Sequence, residues 1–447
     1  MGGTRPAPIL AAMAADSPRR PGRLRGVLVD VAPLRHDRDY RLLWAGQLIS
    51  GAGRQVTVVA LPFQLYVLTG STLAVGLLAV VQLVPILVFA LGGGAMADAV
   101  DRRRLLVVTQ LGLAGASIAL FALAMTPDAP VWAYYVVAFV AAGVGAVDQP
   151  ARSSAIPRLV PPVRLPAAIA LNQLGFNTMA VIGPALGGLL IATVGVAPAF
   201  LFDAVTFVAA IAALVVIAPI PPHPGAARPS LETVKEGLRF VRGRRVVLSS
   251  FVVDLVAMIF GMPTSLFPAL ALDVFGVGPA GVGLLTAAPA AGALLGAAFS
   301  GWVGGIARPG RAVIVAVAGW GAAITAFGVT TYMLLGSPTL SFALALVFLA
   351  CAGAADVISA VLRSAIVQLD TPDELRGRVA SIHILVVTSG PRLGDAEAAA
   401  VAAVTSPELS VLSGGILCLI GLGAVARRYP ELARWVYPAA RPPEPVP

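Results

Sequence analysis

Asp, Glu, Lys and Arg make up only 12% of the 447 residues, so each charge inside an apolar stretch is a candidate for chemistry. Arg54, Asp254, Arg392, Asp395 and Glu397 stand in such stretches, with His383 on the same stretch as the last three. An ionisable group at hydrocarbon depth is costly and is retained where it faces a cavity or a partner. Burial and charged neighbours shift a carboxylate's proton affinity, so alternating exposure of Asp254, Asp395 or Glu397 could load and release a proton. Arg54 could tune such a carboxylate or meet an anionic group on a solute. Arg392 and Asp395, three residues apart on one helical face, could instead form a static ion pair. His383 reads as a packing residue before a relay, and Asp203 as a helix cap near one surface.

The three histidines, His36, His223 and His383, form no catalytic arrangement with Ser or Asp, and no Gly-Lys-Ser/Thr run is present for ATP. Cys351 and Cys418 lie in apolar stretches and read as small buried helix residues. Neither an enzyme, a cofactor nor a metal site is expected.

The elements that position these charges follow from composition. Hydrophobic residues reach 58%, and a soluble chain of this size needs a charged fraction of roughly 25% to coat its surface. A bilayer removes that need. The net charge of +9 would suit nucleic acid only beside a soluble fold, which is lacking. The expected partner is therefore the lipid bilayer, with no nucleic acid, and the chain is expected to be a monomer.

Apolar runs of about 20 residues fall near 43–68, 72–97, 105–125, 130–150, 166–193, 198–218, 246–271, 280–304, 311–334, 339–361, 377–403 and 409–426. The least secure divisions are at 68–74 and 403–409. Of 31 Lys and Arg, 29 fall in the tails, the even loops and the central segment, and the odd loops have none. Arg54 and Arg392 are the other two. By the positive-inside rule the tails and even loops are cytoplasmic, which places the chain in the cell's inner membrane with both termini inside. The short apolar run Pro8–Ala15 is followed by Arg-rich polar sequence and is no secretory signal.

Shifting the chain by 207 positions lays Val75-Gly76-Leu77-Leu78 on Val282-Gly283-Leu284-Leu285, and Gly183–Gly188 on Gly390–Asp395. At 210, Ser154-Ala155-Ile156 meets Ser364-Ala365-Ile366. Six spans is an even number, so the halves are parallel repeats with a path between them. The expected fold is an all-α integral membrane protein with twelve transmembrane helices in two parallel six-helix repeats around a central cavity. Its parts are a cytoplasmic tail (1–41), an N-terminal bundle (42–218), a linker (219–245), a C-terminal bundle (246–427) and a second tail (428–447). Within the linker, Leu231, Val234, Leu238 and Val241 share one face opposite Glu232, Lys235, Glu236 and Arg239, as in a helix lying on a membrane surface.

After the second span, Gly94-Ala95-Met96-Ala97-Asp98-Ala99-Val100-Asp101-Arg102-Arg103 resembles the cytoplasmic signature of the major facilitator superfamily. Met96 replaces a usual Leu, Ala99 a usual Arg and Asp101 a usual Gly. Arg41–Gln47, Pro150–Pro157 and Glu236–Val241 look like its drug-efflux and siderophore-export branch, of the enterobactin-exporter type. The resemblance covers nearly the whole chain. It implies a secondary transporter of the major facilitator fold, with Asp98, Arg102 and Arg152 in a cytoplasmic gate. Gly94, Asp101 and Arg103 belong to the same signature, and Asp148, Asp356 and Arg363 are the expected gate partners at the inner ends of spans four and ten. Gly183, Pro184, Gly187 and Gly188 resemble the fifth-span motif associated with antiporters, although Met179 stands where a glycine is usual. The implied activity is proton-coupled export of a small amphipathic molecule. The alternatives are an uptake symporter or uniporter of the same fold, and a non-transporting membrane sensor or scaffold.

Overall fold

A computed structural model describes residues 30–221, 231–334 and 337–437, with the side chains of 90–99, 231–234 and 302 also outside the description. Most of the expected N-terminal tail, the Pro-rich start of the linker and the last ten residues thus lie outside the described residues. So do the side chains of Gly94 and Asp98, whose backbone is helical.

Twelve long helices run through the described residues. The first six are α1 (Arg38–Thr69), α2 (Thr72–Ala99), α3 (Arg102–Met125), α4 (Val131–Leu159), α5 (Leu165–Val194) and α6 (Val196–Val216). After the linker helix Leu231–Gly243 come α7 (Arg245–Gly261), α8 (Gly278–Ala298), α9 (Pro309–Met333), α10 (Pro338–Leu369), α11 (Arg376–Val404) and α12 (Pro407–Arg428). Ten of these stretches are long and apolar enough to cross a membrane. The other two, α1 and α11, are 32 and 29 residues long and carry the intramembrane charges Arg54, Arg392, Asp395 and Glu397. Val108, Val208 and Ile420 are more than 60% exposed, a surface suited to lipid rather than water.

Local chemistry sets the helix ends. At the insecure division near residue 70, Gly70 takes φ +59° and its N–H bonds to the Tyr66 carbonyl, while the Ser71 side chain accepts from the Ala74 N–H. That is a left-handed C-cap followed at once by an N-cap. Its counterpart near 405 is restarted by Ser406, which accepts from the Leu409 N–H. Asp101 caps α3 through the Arg104 N–H.

The seventh span departs from expectation. A single helix over 246–271 is predicted, but α7 stops at Gly261 and the chain continues as a 3-10 turn (Thr264–Leu266), one α-turn (Phe267–Ala269) and a π-turn (Leu270–Val274). Pro263 and Pro268 explain the break, since each removes a backbone donor and disfavours helix in the residue before it.

Neighbour relations repeat between the halves. Helix α1 packs on α5 and α6, α2 on α4, and α3 on α4 and α6; six helices later, α7 packs on α11 and α12, α8 on α10, and α9 on α10 and α12. The halves meet through α5 against α8 and through α2 against α11, one contact being the repeat image of the other. Both are backbone-close at the end away from the arginines. A Cβ on Gly188 would lie 2.9 Å from the Cα of Gly283, and one on Gly76 would lie 3.1 Å from the Asp395 carbonyl oxygen. Gly76 and Gly283 are 207 residues apart, as are Gly188 and Asp395, so the sequence repeat and the interface share one register. At the same end the Tyr66 hydroxyl donates to Asp273 Oδ2, joining α1 to the π-turn of the other half.

A side chain at Gly283 is therefore expected to wedge the halves apart at this end. In a Cys351→Ser background carrying spin labels at Thr126→Cys and Thr405→Cys, Gly283→Leu should lengthen the inter-label distance measured by pulsed electron resonance. An unchanged distribution would contradict the contact.

Candidate functional site

Between the halves lies a cavity of about 890 Å³. Its wall is mostly apolar, with Phe89, Phe207 and Phe267 among its aromatics, and Gln55, Gln82, Gln149 and Thr286 add neutral polar groups. The lining runs from Val75, Ser265 and Val282 beside the glycine contacts to Gln149, Pro150 and Ser153, close to the arginine-rich end of α4. Among the described residues, three ionisable side chains line it: Arg54 from α1, and Arg392 and Asp395 from α11.

The break after α7 positions Asp395. Its Oδ1 accepts from the Thr264 hydroxyl and, at 2.8 Å, from the Ser265 N–H, while the Ser265 hydroxyl donates to the Asp395 carbonyl at 2.8 Å. The carboxylate thus caps the 3-10 turn that the prolines create. Arg392 turns the other way and donates to the Thr388 carbonyl at 2.8 Å. The static Arg392–Asp395 pair is not formed. Arg54 makes no hydrogen bond or ion pair among the described residues and stands exposed to the cavity.

Asp254, one of the acids expected to exchange a proton, does not line the cavity. It is 2% exposed and pairs with Arg363 at 2.7 Å, with Asp356 3.7 Å from the same nitrogen. One residue expected in the transport path and two expected in the gate thus form one cluster between α7 and α10. The other half holds its own: Asp148 accepts from Thr109 (2.7 Å), Gln110 (2.9 Å) and Arg152 (3.0 Å). Arg102 is buried and its Nε donates to Ser154 at 2.9 Å, and Arg103 Nε donates to the Leu214 carbonyl at 2.9 Å. The bonds described for these residues expected in the gate lie within their own half.

His383 is half-buried against the Phe251 ring, 5.7 Å between centroids, and like Glu397 it does not line the cavity. Cys418 is buried as expected, but Cys351 is exposed on α10, where the bilayer lets an apolar-run residue face outward. The fifth-span motif is an interface. Gly183 faces Gln55 and Gly187 faces Val56 on α1, while Gly188 faces α8.

Sequence reasoning missed the partners Tyr66, Asp273, Thr264 and Ser265, and misplaced Asp203. That residue is no cap: it lies two turns into α6, is 2% exposed, and accepts from Thr57 of α1 (2.6 Å) and Ser117 of α3 (2.8 Å). A lone acid in an apolar run was the available signal, since the helix starts at Val196, beyond capping reach.

Two six-helix repeats around a polar-spotted cavity, with backbone-close helix contacts between them at one end, define a membrane transporter of the major facilitator type. Within that class the chain belongs to the transmembrane secretion effector family, whose profile matches residues 29–442. It is 29% identical over 403 residues to the enterobactin exporter EntS of Citrobacter koseri, covering 88% of this chain and 93% of that one. The EntS of Shigella boydii matches with the same identity and coverage. Among solved structures, a bacterial homologue of the iron transporter ferroportin in its inward-facing state superimposes with a TM-score of 0.68 at 15% identity, covering 89% of this chain and 99% of that one. The nucleoside transporter NupG gives 0.68 at 12% identity, covering 89% and 99%. The fold and relatives are those of multi-pass membrane transporters, not enzymes, and the relatives are exporters.

Removing one partner of a buried pair strands the other charge. Asp254→Asn is expected to cost about 3 kcal/mol, read as a lowered unfolding midpoint in detergent. A second change, Arg363→Met, should recover part of the loss, and additive losses would contradict the pairing.

Proposed function

We propose that this protein is an exporter that works by alternating access and exchanges a small amphipathic molecule, of the drug or siderophore class, for protons. The observation that carries the reading is the cavity: mostly apolar, with three ionisable groups, sealed at one end by glycine contacts and running toward the arginine-rich end. In the proposal that end faces the cytoplasm, as the positive-inside rule requires. Both termini are then cytoplasmic, the membrane is the inner one, and the conformation is inward-open. Parting α5 from α8 and α2 from α11 opens the other side, a rocking of one repeat against the other. Kinship with enterobactin exporters supports the outward direction and a monomeric carrier in the bilayer is sufficient for the cycle.

For the coupling ion, the cavity favours Asp395 over the other acids on α7 and α11. Asp254 is neutralised by Arg363, and Glu397 lies off the wall. Asp395 meets the cavity while gripping the broken end of α7, so adding a proton to it weakens the bonds that hold Thr264 and Ser265.

The test uses wild-type and Asp395→Asn protein reconstituted in liposomes, with enterobactin and ethidium as probes. Wild type should move at least one probe against its gradient only while a proton gradient stands, and Asp395→Asn should keep exchange but lose the driven component. Transport of neither probe, or movement indifferent to the gradient, would sink the reading. Net uptake under the same gradient would favour symport.

A further inference from the structure

We infer that Asp203 is a second proton-holding acid, kept neutral behind the cavity wall of the N-terminal half and connected to the cavity through Ser117 and Thr57. Its role in coupling rests on the proton exchange proposed above; its protonation does not.

Hydrogen counting carries the inference. Ser117 Oγ lies 2.8 Å from Asp203 Oδ2 and 3.2 Å from the Leu113 carbonyl oxygen, yet a hydroxyl has one proton to give. Thr57 Oγ1 lies 2.6 Å from the same Oδ2. With Asp203 ionised, both hydroxyls crowd one oxygen while Oδ1 is buried with no donor, and among the described residues no cation stands within ion-pair distance. A buried carboxylate left half-bonded is expensive. With Asp203 protonated on Oδ2, the acid donates to Ser117, Ser117 donates to Leu113, and Thr57 donates to the acid. Every hydroxyl hydrogen then has one acceptor, and Oδ1, still without a donor, is a neutral carbonyl oxygen rather than half of a buried anion.

The surroundings agree. Of the helices packed on α6, α5 has no ionisable residue, and α3 has only Arg102, Arg103 and Arg104 at its far end. On α1, Arg38, Asp39 and Arg41 lie at that same far end. Tyr40 is bonded to the Ala168 carbonyl, Tyr66 is bonded to Asp273, and Arg54 is the one charge close by. Close approach is allowed by Gly53, where a Cβ would fall 2.7 Å from Asp203 Oδ1.

Ser117 and Thr57 both line the cavity, which supplies the exit. The Oδ2–H bond breaks as its proton passes to Ser117 Oγ, and the proton Ser117 held passes to cavity water as hydronium. The carboxylate left behind has Arg54 as its counter-charge. Discharge of Asp203 therefore places a negative charge behind the wall in the field of Arg54, partly offsetting that cation. Solutes that the free guanidinium repels are admitted once the proton has gone, which is the logic of exchange.

The test is infrared difference spectroscopy on the full chain in liposomes, across a pH titration. Wild type should show a protonated-carboxyl carbonyl band that is lost in Asp203→Asn and retained in Asp395→Asn. Persistence of every such band in Asp203→Asn would overturn the assignment. Should that variant fail to fold, Ser117→Ala and Thr57→Val on the intact acid should each shift the band's frequency, and no shift in either would overturn it too. With ethidium as the probe, Asp203→Asn should lose gradient-driven efflux, and full retention would refute the coupling role. A wild type that moves ethidium without regard to the gradient sinks proton coupling as a whole while leaving the band assignment standing.

Discussion

Two helices approach at backbone distance only where neither has a side chain in the way, and the architecture turns on two such places. Gly188 against Gly283, and Gly76 against the backbone at Asp395, let α5 meet α8 and α2 meet α11 without intervening atoms. In lipid there is no hydrophobic gain from hiding leucine, so close van der Waals packing of small residues is what holds helices together. Because both contacts fall at one end, the space left at the other becomes a cavity. Its charged groups sit on the helices that form or flank these contacts.

Polar groups are distributed by the same economy. Asp148 with Arg152, and Asp254 with Arg363, are paired within single halves, so each bundle carries its own buried charge pair. Buried pairs of this kind add little net stability but punish the loss of either partner. Between the halves the described polar link is a single side-chain hydrogen bond, Tyr66 to Asp273. An interface of glycines and one polar latch is suited to separating, whereas the interior of each half is not.

Much of this was legible in the residue string. Apolar run lengths located the twelve long helices to within a few residues at most ends, the arginine asymmetry separated the two ends, and the 207-residue repeat predicted the matching helix neighbours. Arg54, Arg392 and Asp395, singled out as charges in apolar runs, line the cavity between the halves. Partner choice was not legible. Arg392 and Asp395 look like a pair at three-residue spacing, yet each found a better bond: a carbonyl one turn back, and the free N–H of a turn made by two prolines. Asp254 and Arg363 are more than one hundred residues apart, and only packing of α7 on α10 brings them together. Asp203 was misread because its helix starts two turns earlier than a cap would allow. Arg392 apart, whose carbonyl is on its own helix, the deciding atom in each case belongs to another segment of the chain.

The interrupted seventh helix has a mechanical consequence. Helix α1, its repeat counterpart, runs unbroken through Pro62, whereas the stretch from Met262 to Val274 changes hydrogen-bond pattern three times within thirteen residues. Resistance to bending comes from the uniform ladder of i to i−4 bonds, so the two repeats differ in stiffness although they share a topology. The N-terminal half is a lever and the C-terminal half contains a joint. The joint lies beside both the Tyr66 latch and the cavity acid, so bending there would shift the inter-half contact and the cavity lining together.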